Sequence, residues 1–104
     1  MELPLPFIYR KGEENHVLKV VIAEDDFRVA NIHERFLAKF TEMKVVGKAL
    51  NAKQTMDMLR EKHPDLLLLD VYLPDELGSD LLADIRAQFP YVDIMMITAA
   101  ANKS

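Results

Sequence analysis

Leu66-Leu67-Leu68-Leu69-Asp70-Val71-Tyr72-Leu73-Pro74 is an apolar run of strand length that delivers one carboxylate to its carboxyl end and turns at once into a proline-marked bend. A continuous apolar run flanked by turn signals suits a strand covered on both faces, as in the middle of a parallel sheet. Burying a lone aspartate inside such a strand would be costly. At the strand's tip, where open α/β sheets collect their ligands, the same carboxylate becomes a candidate reacting group. Asp70 is therefore the residue to explain.

Upstream of it, Val17 to Ala23 is β-branched and apolar and predicts a buried strand that ends in the acids Glu24, Asp25 and Asp26. From Phe27 the period changes. Val29, Ile32, Phe36, Leu37 and Phe40 recur at three- and four-residue steps and predict an amphipathic helix, with acids at its positive end. Val45 to Leu50 predicts a short strand near an edge, because it carries a glycine and a lysine. Ala52, Thr55, Met56 and Leu59 mark a second helix that stops at His63 before Pro64.

Downstream, Gly78 introduces a third helix with Leu81, Leu82, Ile85 and Phe89 inward, and Asp93 to Thr98 reads as a fourth buried strand. The order β-α-β-α-β-α-β with right-handed crossovers gives an α/β fold, a doubly wound parallel sheet with helices on both faces. The first and third strands are the most apolar and belong at the centre, so the expected strand order is 2-1-3-4. Residues 1–16 show neither period and are expected to form a leader outside the fold, leaving 17–104 as the domain.

A chain of 104 residues, half of them apolar, has enough material for one real core. Its formal charge of −4 gives no reason to expect direct binding to nucleic acid. There is no cysteine, which excludes disulfides and thiolate metal sites. No apolar run approaches the roughly 20 residues of a membrane span, and the proline-broken opening is too short for a signal-peptide core. A cytoplasmic protein is the expectation.

In that strand order the tips of the first and third strands flank the topological switch point, so Glu24 and Asp25 converge on Asp70 from about 45 positions away. Acids at strand ends also cap helices without doing any chemistry. Three carboxylates crowded together, however, repel unless a proton or a cation intervenes. Oxygen-only ligands point to a hard ion, Mg²⁺ before Zn²⁺. A carboxylate beside such an ion is a competent nucleophile toward phosphorus. Thr98, at the neighbouring tip, is placed to donate a hydrogen bond to a phosphoryl oxygen. The methionines Met56, Met58, Met95 and Met96 read as core filler, and His16, His33 and His63 as surface residues.

Val21-Ile22-Ala23-Glu24-Asp25-Asp26, then Leu69-Asp70-Val71-Tyr72-Leu73-Pro74-Asp75-Glu76-Leu77-Gly78, then Met96-Ile97-Thr98-Ala99 resemble the receiver domain of two-component response regulators. The wording around Ile32-His33 and Tyr72-Leu73-Pro74-Asp75 is similar to the citrate and C4-dicarboxylate sensing branch. The resemblance implies a flavodoxin-like fold and a phosphoprotein that is not an enzyme. It makes Asp70 the acceptor of a phosphoryl group from a sensor histidine kinase. It also implies Mg²⁺ held by Glu24, Asp25, Asp70 and the backbone carbonyl of Tyr72, with Thr98 as the switch hydroxyl.

In that family a fifth strand carries a lysine that pairs with the phosphoryl group, and this sequence ends before it. A partial receiver domain is the expectation. Its fourth strand would be an open edge through which the chain dimerises or swaps elements. Transcription regulation, and any contact with DNA, would belong to an output domain outside these residues. Two other readings stay open. One is a receiver-like interaction module that is not phosphorylated. The other is a Mg²⁺-dependent phosphohydrolase with an aspartyl nucleophile, which is disfavoured because the residue two past Asp70 is Tyr72 and not an acid.

Overall fold

Leu18–Ala23 (β1) is almost wholly buried, and its alternate residues feed two different clusters. The computed structural model describes residues 17–97. The predicted leader over residues 1–16 and the predicted switch residue Thr98 lie outside the described residues. After β1 come Phe27–Leu37 (α1), Met43–Ala49 (β2), Ala52–Lys62 (α2), Leu66–Asp70 (β3), Gly78–Gln88 (α3) and Asp93–Ile97 (β4). The four strands form one parallel sheet in the order β2-β1-β3-β4, as the apolarity of β1 and β3 predicts.

Strand periodicity divides the core. Val21, Ala23, Leu67 and Leu69 face one way and are covered by Leu59 of α2 and by Leu81 and Ile85 of α3. Val20, Ile22 and Leu68 face the other way and meet Ala30 and Leu37 of α1. Each fully buried Leu, Ile or Val is worth about 1.5–3 kcal/mol of transfer free energy. The two central strands are thus the most firmly fixed part of the molecule.

The helix boundaries have local causes. Asp26 caps α1 by accepting from the Arg28 N–H at 2.9 Å. Asn51 caps α2 by accepting from the Gln54 N–H at 2.8 Å. His63 closes α2 in the left-handed region at φ 48°, before Pro64. Along the outer face of α2, Asp57 pairs with Lys53 and Arg60.

Three expectations need correction. The strand beside β1 starts at Met43, two residues before Val45. The apolar stripe predicted for the first helix is only partly turned inward: Leu37 is buried, whereas Ile32 and Phe36 are 60% and 56% exposed. The inward contact is made by Ala30, whose small side chain lets α1 lie close to the sheet. Lastly, β4 is not buried, because Met95 and Met96 are 55% and 38% exposed, so they are surface residues and not core filler. Among the described residues β4 pairs only with β3. Beside it runs an apolar trough of about 340 Å³ lined by His33, Phe36, Phe40, Leu66, Leu68 and Met95, with the Phe36 and Phe40 rings edge-to-face at 5.5 Å. His33 is half-buried there, and its Nδ1 has no partner among the described residues.

Candidate functional site

The register of the two central strands builds the site. Ala23 pairs with Leu69, so Glu24 and Asp70, the next residue on each chain, emerge side by side at the carboxyl edge of the sheet. A backbone bond from the Glu24 N–H to the Ala49 carbonyl (2.9 Å) ties the tip of β1 to the end of β2. Oxygens of Glu24, Asp25 and Asp70 all lie within 4.8 Å of one another. Glu24 and Asp70 are 3% and 4% exposed, and Asp25 faces solvent.

Each buried acid has one local donor. A Glu24 oxygen accepts from the Asp26 N–H at 3.0 Å, and Asp70 Oδ1 accepts from the Tyr72 N–H at 3.1 Å. Burial pushes the Glu24 carboxyl up to about 7, reinforced by hydrogen bonding to Asp25 and by the carboxylate of Asp70, with the Asp26 N–H pulling the other way. Asp26, the third acid of the run, stays out of the cluster. It caps α1 and pairs with Arg28 (3.2 Å), which holds its carboxyl below the usual range.

This donor set fits a hard divalent cation. It offers carboxylate oxygens from two strand tips, two of them desolvated and mutually repelling, and a third open to water. The described histidines, His33 and His63, lie outside it. Tyr72 follows Asp70 by two residues and is 56% exposed, where an aspartyl-nucleophile hydrolase would carry its second acid.

One participant escaped the sequence reading. Asp75 lies in the segment between β3 and α3, and its carboxylate accepts from the backbone N–H groups of Ala52 (2.7 Å) and Lys53 (3.2 Å) in the first turn of α2. Those donors hold its carboxyl below the ordinary range. The sequence presents Asp75 within the motif that follows Asp70, as an acid directly after Pro74, and nothing there indicates that it meets α2.

A parallel sheet in the order β2-β1-β3-β4, with three acids at the switch point between its central strands, defines a flavodoxin-like α/β domain. Residues 20–104 match the family described as the response regulator receiver domain, and the chain belongs to that family. The transcriptional regulatory protein CitT of Bacillus subtilis (strain 168) is 58% identical over 86 residues, covering 83% of this chain and 38% of the relative. The probable C4-dicarboxylate response regulator DctR of the same organism is 35% identical over 85 residues, covering 82% of this chain and 38% of the relative.

The chain thus spans less than two fifths of the length of these curated relatives. Among solved structures, a MaeR mutant response regulator bound to sulfate has a TM-score of 0.75 at 30% identity, covering 84% of this chain and 71% of that one. The similarity to the citrate and C4-dicarboxylate branch read from the sequence is borne out by these relatives. No helix among the described residues is long and apolar enough to cross a membrane.

Proposed function

We propose that this chain is a phosphoryl-accepting switch in two-component signalling, with Asp70 as the acceptor. The observation that carries the reading is the convergence of Glu24, Asp25 and Asp70 within 4.8 Å at the tips of adjacent central strands. A carboxylate oxygen of Asp70 attacks the phosphorus of a phosphohistidine on a sensor kinase. The new P–O bond forms as the P–N bond breaks, and the departing imidazole takes up a proton. Glu24, Asp25, Asp70 and the Tyr72 carbonyl would hold Mg²⁺, which when bound offsets charge on the transferring oxygens.

The remaining roles belong to this chain's own groups. The Tyr72 N–H holds one Asp70 oxygen at 3.1 Å, which fixes the carboxylate's orientation. Burial of Glu24 and Asp70 keeps bulk water from screening the site. Thr98 is the proposed switch hydroxyl, and residues 17–104 the proposed domain. The names of the relatives support a transcriptional output through a DNA-binding part outside this chain, and a cytoplasmic, non-enzymatic protein. The exposed Met95 and Met96 on β4 favour self-association along that edge.

Intact-protein mass after incubation with Mg²⁺ and a small phosphodonor, beside Asp70→Ala, tests the assignment. One added phosphoryl group, lost in the variant and with chelator, is the expected result. A folded wild-type chain that gains no mass overturns it.

A further inference from the structure

Asp75 closes a circuit around the acid cluster. Glu24 is tied through its N–H to the end of β2, and Asn51, two residues beyond that end, caps α2. The free N–H groups of Ala52 and Lys53 at the same helix start are taken by Asp75, 23 and 22 residues away in sequence. The segment bearing Asp75 is itself closed at its base. Gly78 N–H donates to the Val71 carbonyl at 3.0 Å, and Tyr72 bridges Leu77 in antiparallel fashion. Asp75 therefore stands on a tight loop whose other end is the Tyr72 N–H on Asp70.

We infer that Asp75 is a positioning residue for the site: its carboxylate clamps the loop after β3 to the first turn of α2 and thereby holds Tyr72 in register with Asp70. The inference rests on the reading of the acid cluster as a cation site for its binding arm, and on loop geometry alone for the rest. Two charge-assisted bonds to main-chain donors are stronger and more directional than a flexible side-chain contact. They add a directional tie between the loop and the first turn of α2, where Leu73 and Ala52 already belong to the same apolar cluster. Asn51 takes only the Gln54 N–H, so the Ala52 and Lys53 donors of the first turn remain open for an acceptor from elsewhere in the chain. Asp75 supplies it from the loop after β3, and so fixes that loop as well as the helix start. By linkage, whatever orders the loop from the site side also orders the first turn of α2.

Amide hydrogen exchange with and without Mg²⁺, together with calorimetric Mg²⁺ titration, tests this on the intact chain with Asp75→Ala and Asp75→Asn. In Asp75→Ala, exchange is expected to rise at least several-fold at Tyr72 as well as at Ala52 and Lys53, and the apparent Mg²⁺ Kd to rise several-fold. Asp75→Asn keeps one acceptor oxygen and restores part of both effects, and it serves alone where the alanine variant fails to fold. In the wild type, Mg²⁺ is expected to slow exchange at Ala52 and Lys53. Faster exchange confined to Ala52 and Lys53, with Tyr72 unchanged, makes Asp75 a simple helix cap and overturns the inference. A wild type that binds no Mg²⁺ refutes the cation site, and the Tyr72 exchange in the variants then decides the clamp by itself.

Discussion

Replacing Glu24 by glutamine should make this protein more stable, and the gain should grow with pH. The Glu24 carboxyl rises from 4.5 to about 7 on folding, chiefly because it is buried. A carboxyl raised in the native state binds its proton more tightly there than in the unfolded chain, so stability falls as pH climbs from 4.5 through 7. Full ionisation in place costs on the order of 3 kcal/mol, at 1.36 kcal/mol per pK unit. Glutamine keeps the shape and the oxygen that accepts from the Asp26 N–H, and it carries no charge. In chelator, urea unfolding followed by circular dichroism should show Glu24→Gln ahead of wild type by about 1–3 kcal/mol at pH 8, with the lead shrinking by roughly 2 kcal/mol at pH 5. In a thermal scan 2 kcal/mol is roughly 10 °C for a domain of this size. Adding Mg²⁺ at pH 8 should narrow the gap, because only the wild type offers all three carboxylates. A lead that is equal at both pH values, or a wild type that gains on the variant as pH rises, refutes the reasoning.

Two further changes follow from the packing. Gly78→Ala places a Cβ 2.8 Å from the Val71 backbone, which cannot give way, and should cost about 1–3 kcal/mol in urea unfolding; Gly47→Ala meets only the flexible Met58 sulfur, at 2.6 Å, and should cost under about 1 kcal/mol. Equal costs would contradict that distinction. Met95→Lys puts a charge beside the trough and on the exposed strand, so sedimentation velocity at tens of micromolar should show less self-association than in wild type. Identical sedimentation of the two would remove β4 as the associating edge.

The parts of the fold that were legible in the sequence are those that depend on repetition. Leu66 to Leu69 reads as a strand because every residue is apolar, and burial on alternating faces is what the structure does with that run. Once β1 and β3 are neighbours, the positions of Glu24, Asp25 and Asp70 follow from where each strand stops, so the acid cluster was legible as well. The burial of α1 and β4 was not. Periodicity says that a stripe exists on α1, but not that Ala30 would make the close contact while Phe36 stays in solvent. An apolar run such as Ile94 to Ile97 reads the same at the centre of a sheet as at its side, and exposure of Met95 is set by what lies beyond β4. Asp75 was invisible for a third reason. Its partners are backbone N–H groups, which every sequence has, and only the path of the loop decides which of them it meets.

Those differences in legibility reflect where the molecule is able to yield. The acids sit on the tips of the two most buried strands, so their mutual repulsion cannot be relieved by parting β1 from β3 without exposing Val21, Ala23, Leu67 and Leu69. Raising the Glu24 carboxyl toward neutrality is one response, and it happens without movement. Any further change of charge at the site must be absorbed by the segments that leave the strands. Among the described residues two such segments flank the acids: the turn into α1, held by the cap at Asp26, and the loop from Val71 to Leu77, held by Gly78 at its base and by Asp75 at α2. Among the described residues, a rigid sheet that fixes the charges, and two loops each secured by a few hydrogen bonds, direct the response to a charge at Asp70 into those loops. That division follows from burial alone and does not depend on which group delivers the charge.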